Sequence, residues 1–333
     1  EGLGELTYRS FHIPVMAEAV VAFLAAAPAG LLVDATAGGG GHLFALAEAT
    51  TPDHFVVGVD QDPDALAEVG SRLEGRPDLR ERVRLLKGNF ADLEELLEAS
   101  ELGEEPPVTG IFADLGMSSW QLDEPSRGFA IKHRKSALDM RMNPGNGTSS
   151  ALDLLRSWDR GELTHVLRSY GELKDASRVA RHIKEAVDED RVHTTGDLAD
   201  IVTSVRRTPP RPGRVHPATT VFQALRIAVN GELDALESLL ESSTRLLCPG
   251  GRLAVISYHS LEDRMVKQAF RDGSQPPPGP RELPPPPDWR PTWEVLTRRP
   301  VTANSEEEAQ NPRSRSAKLR VAARAAARSG GLA

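Results

Sequence analysis

The sequence predicts a doubly wound, Rossmann-like α/β domain with a helical insertion after its fourth strand, and three observations lead there. In the first third of the chain, short β-branched runs alternate with helical segments of about ten residues, the rhythm of βαβ units around a parallel sheet. Four consecutive glycines, Gly38 to Gly41, fall where the first strand turns into the first helix. From about residue 123 to 217 the strand signal disappears, and it returns only afterwards.

The elements justify this in order. LLVDA (31–35) precedes helical HLFALAEA, HFVVGVD (54–60) precedes PDALAEVGSRL, VRLLKGNF (83–90) precedes ADLEELLEA, and VTGIFADLG (108–116) closes the series. Right-handed crossovers are the only practical way to connect such parallel strands. The insertion offers SALDLLRSW, GELTHVLRSY, ASRVARHIKEAV and TGDLADIVTSV as helices, the last with a Thr and an Asp at capping positions, and it ends in breaker-rich TPPRPGRVHP. VFQALRIAVNGELDALESLLESSTRLL (221–247) reads as one long helix softened at Gly231, which CPGG stops, and RLAVISYH (252–259) as a buried strand followed by the helix LEDRMVKQAF. SQPPPGPRELPPPPDWRP (274–291) is too proline-rich for regular structure. WEVLTRR (293–299) and SAKLRVAAR (316–324) suggest a final antiparallel pair joined by SEEEAQNPRSR. The expected division is therefore 1–122 with 218–333 as a discontinuous α/β domain, and 123–217 as the insertion, a substrate-recognition domain.

Composition narrows the function. No stretch reaches the roughly 18 apolar residues of a membrane span and the first residues lack a secretory pattern, so a cytoplasmic protein without membrane contact is expected. The one cysteine, Cys248, excludes an internal disulfide or thiolate cluster and reads as packing at a helix end; no metal-ligating spacing is present. A net charge of -8 argues against a generic polyanion binder, yet cations are segregated. Ile201 to Gly231 holds five arginines (Arg206, Arg207, Arg211, Arg214, Arg226) and no acid, and Ala309 to the end holds six Lys or Arg and no acid. The first of these segments is the candidate for phosphate contacts.

In a doubly wound sheet, ligands bind beyond the carboxyl ends of the strands. A dinucleotide fingerprint starting at Gly38 needs glycine at 43, where the chain has Leu43. Asp60 ends the second strand, one βαβ unit after Asp34, and can accept both hydroxyls of a ribose, whereas Asp62 is better placed to cap the helix starting at Pro63. Glycines and a ribose acid without a phosphate-binding lysine point to an adenosine cofactor lacking phosphates, which S-adenosylmethionine (SAM) fits. On this reading the glycines form a backbone wall, and valine at Gly40 should abolish cofactor binding while leaving the fold mostly intact. Asn89 and Phe90 would lie beside the adenine, and Asp114 at the tip of the fourth strand in mid-cleft. An exocyclic amine is a weak nucleophile, and a carboxylate there can accept its hydrogen bond and help its proton leave. Tyr258 could stack on an extruded base and His259 could shuttle the proton, although a structural role for His259 is equally open.

The chain resembles the ribosomal RNA small subunit methyltransferase H family in HIPVMAEAV (12–20), DATAGGGGH (34–42), VDQDP (59–63), DLGMSSWQLD (114–123), LDMRMNP (138–144), HPAT (216–219), FQALRIAVNGEL (222–233) and ISYHSLEDR (256–264), in order along nearly its whole length. The resemblance implies a Rossmann-like SAM-dependent methyltransferase domain with the insertion described. It implies transfer of a methyl group from SAM to N4 of a cytidine in the decoding region of bacterial 16S rRNA, in the small subunit or a late assembly intermediate. By motif, it carries cofactor contacts onto Gly40, Gly41, His42, Asp60, Phe90, Asp114 and Gln121; for His42 and Gln121 the motif is the only warrant. The chain departs from the family pattern at Trp120, around His133 to Lys135 and at Thr220, none of which is a carried-over cofactor residue. The other readings are a SAM-dependent methyltransferase of an amine in DNA or protein, and a ribosome-assembly factor that binds SAM without catalysis; an NAD oxidoreductase is disfavoured by Leu43. The sequence leaves a homodimer open.

Overall fold

A computed structural model of the chain describes residues 14–100, 102, 106–207, 215–277 and 288–326. Arg211 and Arg214, most of the proline-rich 274–291 segment, the first thirteen residues and the last seven lie outside the described residues. Two compact units form, Glu1–Gly116 with Leu236–Ala333, and Met117–Ala235. The first unit opens with α1 (Ala17–Leu24), β1 (Leu31–Asp34), α2 (Gly41–Ala49), β2 (Phe55–Asp60), α3 (Pro63–Glu74), α4 (Pro77–Arg80), β3 (Val83–Lys87), α5 (Leu93–Glu98) and β4 (Val108–Asp114). In the second unit lie α6 (Ser119–Asp123), α7 (Ala151–Ser157), α8 (Arg160–Ser169), α9 (Ala176–Asp188), α10 (Thr195–Arg206) and α11 (Thr219–Asn230). After α12 (Glu232–Leu246) the first unit continues with β5 (Leu247–Ser257), α13 (Ser260–Ser274), β6 (Trp293–Val295), α14 (Ser305–Gln310) and β7 (Lys318–Arg324).

Among the described residues the sheet has seven strands in the order β3-β2-β1-β4-β5-β7-β6. The β1–β2, β1–β4, β2–β3 and β4–β5 pairs are parallel, and β7 is antiparallel to both β5 and β6. Alternation along the strands divides the core between the two faces. Leu32, Val56, Phe112 and Ala254 pack with Leu24 of α1, Leu43 and Leu46 of α2, and Val69 of α3. Leu31, Val33, Val57, Val59, Ile111 and Ala113 pack with Leu93 of α5, Leu236 and Leu239 of α12, and Val266 of α13. The chain runs outward β1 to β3 over the first face and recrosses to β4 over the second. The strand order therefore reverses between β1 and β4, where a ligand crevice opens.

The second unit has its own core, in which Leu155, Leu163, Leu167, Val179, Ile183, Leu198 and Val202 are buried. Side-chain capping boxes start three of its helices, at Ser150 with Asp153, Asp159 with Glu162, and Thr194 with Asp197.

Several expectations are revised. The long helix over 221–247 is two helices, because Gly231 adopts φ +59° and ends α11. Helix α11 buries Val221, Phe222, Ala224 and Leu225 in the core of the second unit, so that unit runs through Ala235 and starts at Met117, wider than 123–217 at both ends. CPGG does not stop a helix but lies inside β5, where Cys248 is half-buried. Helix α1 (AEAVVAFL) is an element beyond those that the sequence pattern predicts. SEEEAQNPRSR forms α14 and a 3-10 turn rather than a plain loop. Of the arginines in the acid-free segment, Arg226 is paired with Glu232 at 2.7 Å with both side chains largely covered, and Arg206 donates to the Pro217 carbonyl and lies 3.6 Å from Asp175. Both have structural partners, which weakens that segment as a phosphate site. No helix among the described residues is long and apolar enough to cross a membrane.

Candidate functional site

Three neighbouring strands end in aspartate: Asp60 on β2, Asp34 on β1 and Asp114 on β4. Asp34 and Asp114 thus flank the point where strand order reverses. Backbone donors fix the row. Asp60 Oδ2 accepts from Gly38 N at 2.8 Å and Oδ1 from Asp62 N at 2.9 Å, which fastens the glycine loop to the tip of β2. Asp62 caps α3, accepting from Asp64 N at 3.1 Å, so the two acids divide the roles of loop anchor and helix cap. Asp34 Oδ1 accepts from Thr36 N at 3.2 Å, and Thr36 Oγ1 accepts from Asp114 N at 2.7 Å. Asp114 Oδ1 accepts from Gly116 N at 3.3 Å, and the Tyr258 hydroxyl donates to the same carboxylate.

Burial raises the pKa of all three carboxyls. For Asp34, with no exposed surface, desolvation dominates and the value reaches about 7, against 3.8 ordinarily. The nearby His42 opposes the rise, while Asp114 and Asp60 add to it. Asp60 and Asp114 are raised for the same first reason, desolvation. Tyr258 is likewise pushed well above an ordinary phenol, by burial and then by the Asp114 charge. The Oδ2 atom of Asp34 is buried with no hydrogen-bond partner among the described residues. A row of adjacent acids with one orphaned oxygen repels phosphate and attracts a cation.

Asp34 gives the protein a distinct pH dependence. Between about 4 and about 7 the folded chain keeps a proton that the unfolded chain has lost, so stability falls as pH rises through that window and stays lower above it. Asp34→Asn is therefore expected to raise unfolding free energy above neutrality by on the order of 4 kcal/mol, with no gain in acid. Chemical denaturation across pH measures this, and a variant no more stable than the parent in alkali would contradict it.

The glycine loop and His42 complete the site. His42, at the first turn of α2, is buried; its Nε2 donates to the Val15 carbonyl at 2.8 Å, which leaves Nδ1 facing Asp114 Oδ2 at 3.9 Å. Its ring lies 4.6 Å from Phe112. Gly38 and Gly40 take left-handed φ of +49° and +80°. A Cβ on Gly40 would meet Phe44 at 2.8 Å and one on Gly41 would meet Pro14 at 3.0 Å, whereas one on Gly39 would enter open space. This corrects the expected outcome for valine at Gly40: the hydrogen face of Gly40 is turned to the protein, and of Gly39, Gly40 and Gly41 it is Gly39 that borders open space. Arg72 of α3 clasps the loop from outside, donating to the Gly39 carbonyl while stacked on Phe44 at 4.2 Å.

Asn89 caps the 3-10 turn Phe90–Asp92, its Oδ1 accepting from Ala91 N, and the half-buried Phe90 packs against the core face that includes Leu93. Gln121 belongs to the second unit, where it is buried and its Oε1 accepts from Ser118 N at 3.2 Å. His259 is the N-cap of α13, accepting from Glu262 N while Glu262 Oε2 accepts from His259 N and Tyr258 N. The cap uses only Nδ1; Nε2 is buried 3.0 Å from Glu262 Oε1, without a hydrogen bond among the described residues. Asp34 and Thr36, which links it to Asp114, join the site in the structure without belonging to the candidates that the sequence motifs supply. The recurrence of Asp at successive strand ends was the available signal for the first.

The sequence matches the MraW methylase family over residues 9–325. It is 46% identical over 314 residues to ribosomal RNA small subunit methyltransferase H of Sorangium cellulosum, covering 94% of this chain and 90% of that one. Proteins of the same name from Nostoc sp. strain PCC 7120 and Nostoc punctiforme are 42% and 43% identical, each over 93% of this chain and over 92% and 93% of their own. With a glycine loop and a row of strand-end acids at the switch point, and a family match along almost the entire length, the chain belongs to the MraW methylase family.

Proposed function

We propose that the chain transfers a methyl group from SAM to the exocyclic N4 of a cytidine in the decoding region of bacterial 16S rRNA, acting in the cytoplasm on the small ribosomal subunit or a late assembly intermediate. The observation that carries this reading is the row Asp60, Asp34 and Asp114 with the orphaned Asp34 Oδ2. A dinucleotide would bring its pyrophosphate against these acids. SAM has no phosphate and carries two cationic groups, a sulfonium and an ammonium, so the donor set fits it. When bound, SAM supplies an electrophilic methyl group on its cationic sulfur.

The residues divide the remaining work. Three backbone amides, of Gly38, Asp62 and Gln61, donate to Asp60 and fix its carboxylate toward the ribose hydroxyls. Asp34, buried behind the row, fixes the Thr36 turn that holds Asp114, Phe90 offers its ring to the adenine, and Gly40, Gly41 and His42 form the first turn of the helix behind the cofactor. Gln121 is assigned a further cofactor contact by the family motif. Asp114, held by Tyr258 and Gly116, accepts a hydrogen bond from the target amine and then the proton that N4 loses on gaining the methyl group. Its raised pKa makes it a stronger base than an ordinary carboxylate. The second unit is assigned to substrate recognition. His259 caps α13 through Nδ1, so the proton-shuttle role falls to its Nε2 beside Glu262.

Methyl transfer from labelled SAM to small subunits, naked 16S rRNA and DNA tests the reading. The expected result is label on small-subunit RNA, with nuclease mapping by mass spectrometry assigning one added methyl group to one cytidine. Label on DNA or on ribosomal protein instead would sink the assignment.

A further inference from the structure

At the far edge of the sheet a cavity of about 1110 Å³ opens between α13, the end of α12, the start of β5 and strands β6 and β7. Its floor is apolar, with Phe270, Trp293 and Leu247 buried and the two aromatic rings 5.6 Å apart. Its walls carry seven Lys or Arg side chains and a single acid, Glu294, in a chain whose net charge is -8. Three of these cations are neutralised: Arg245 by Glu94 at 2.6 Å, Arg271 by Asp272 at 3.0 Å, and buried Arg320 by Asp263 at 2.7 Å. Arg324 is tied instead to carbonyls, Nε to Thr244 at 2.9 Å and Nη1 to Thr292 at 3.1 Å, which aim its guanidinium without cancelling the charge. Lys267 and Arg298 are exposed at the cavity wall, and among the described residues neither has an ion pair or hydrogen bond.

We propose that this cavity binds backbone phosphates of the RNA at a distance from the methylated nucleotide, through Lys267, Arg298 and Arg324. The inference rests on the reading of the chain as an rRNA methyltransferase. Position argues for a polymer. Asp114 is level with Ile256 of β5, and Ala323 is level with Arg252, so Arg324 lies five residues further toward the amino end of β5. That is roughly 17 Å along the strands, with about 10 Å more for the two strand spacings from β4 across β5 to β7. One ligand can engage both places only if it is extended. Charge argues for nucleic acid. The aspartate row repels phosphate at the cofactor end, so an anionic substrate must find its countercharge elsewhere on the unit, and here the excess cations project from an apolar floor into solvent. A lipid surface would call for exposed apolar side chains, and the aromatic residues here are buried.

The test uses the full chain with Lys267→Gln and Arg298→Gln combined. Both side chains are exposed and unpaired, so thermal stability and SAM affinity should not change. Binding to a fluorescent 16S rRNA fragment is measured by anisotropy across a salt series. The expected result is a fall in affinity of roughly tenfold at moderate salt and a slope of log K against log salt that is shallower by about 1.4 to 1.8. An unchanged affinity and slope in the double variant, with the parent binding RNA normally, overturns the proposal and leaves the methyltransferase reading intact. Failure of the parent itself to bind or methylate RNA overturns that reading instead. Weaker binding to whole small subunits with unchanged binding to naked rRNA assigns the cavity to a ribosomal protein and also overturns the proposal.

Discussion

Asp114→Asn is expected to lower methyl transfer roughly 10²- to 10⁴-fold, the usual range for loss of a positioned general base, while SAM affinity changes less than about tenfold. Asparagine preserves the shape of the side chain and can still accept from Gly116 N and from the Tyr258 hydroxyl, so the tip of β4 should keep its geometry. What disappears is a charge able to receive the amine proton. The loss should therefore fall on kcat rather than on KM for RNA. Asp114 has a raised pKa from burial, and its active form is the carboxylate. The parent rate should accordingly climb with pH through a value above the ordinary carboxylate range, and this acid limb should vanish in the variant. A variant within threefold of the parent rate, with the acid limb intact, would reduce Asp114 to a cofactor contact.

Gly40→Val is expected to destabilise the first unit by about 3 to 5 kcal/mol, with loss of SAM binding following from the disordered loop. Two costs combine. A β-branched residue at φ +80° is strained by about 1 to 3 kcal/mol, and its Cβ would sit 2.8 Å from the Phe44 ring and 3.1 Å from Val69, adding about 1 to 3 kcal/mol of overpacking. Against a total stability of roughly 5 to 15 kcal/mol this is a large fraction. Gly39→Ala supplies the contrast. Its Cβ meets nothing within 4 Å, so stability should stay within about 0.5 kcal/mol of the parent, and weakened SAM affinity then reports on occupied space alone. Denaturant melts paired with SAM titrations measure both effects. A Gly40→Val chain that melts like the parent would show that the Phe44 ring and the loop yield freely.

Asp34 and Asp114 illustrate how a single site can oppose stability and serve binding. Burial, with Asp114 and Asp60 nearby, raises the pKa of Asp34 and weakens the free protein above neutrality, and a cationic ligand beside the row opposes both effects. The basic cavity at the other end of the sheet has the opposite sign, so the unit as a whole presents acids to a cation and cations to an anion.

The sequence by itself determined the order of strands and helices, the position of the insertion after the fourth strand, and the identity of the aspartates at the strand ends. These follow from period-2 and period-3.6 patterns, breaker residues and a match to a family along most of the chain, all of them local or linear in sequence. It also separated Asp60 from Asp62 correctly as to which one caps a helix, because capping is decided within one turn. Tertiary structure alone decided three further matters. Gly40 turned out to face Phe44 rather than open space, because the direction of a missing Cβ depends on how α2 packs on α3. Nδ1 of His259 went to a helix cap, and Arg206 and Arg226 to partners outside their acid-free segment, because pairing depends on neighbours in space. The row of aspartates and the basic cavity arise from the order in which strands lie side by side. That order is set by which helix covers which face of the sheet, and no stretch of contiguous residues encodes it.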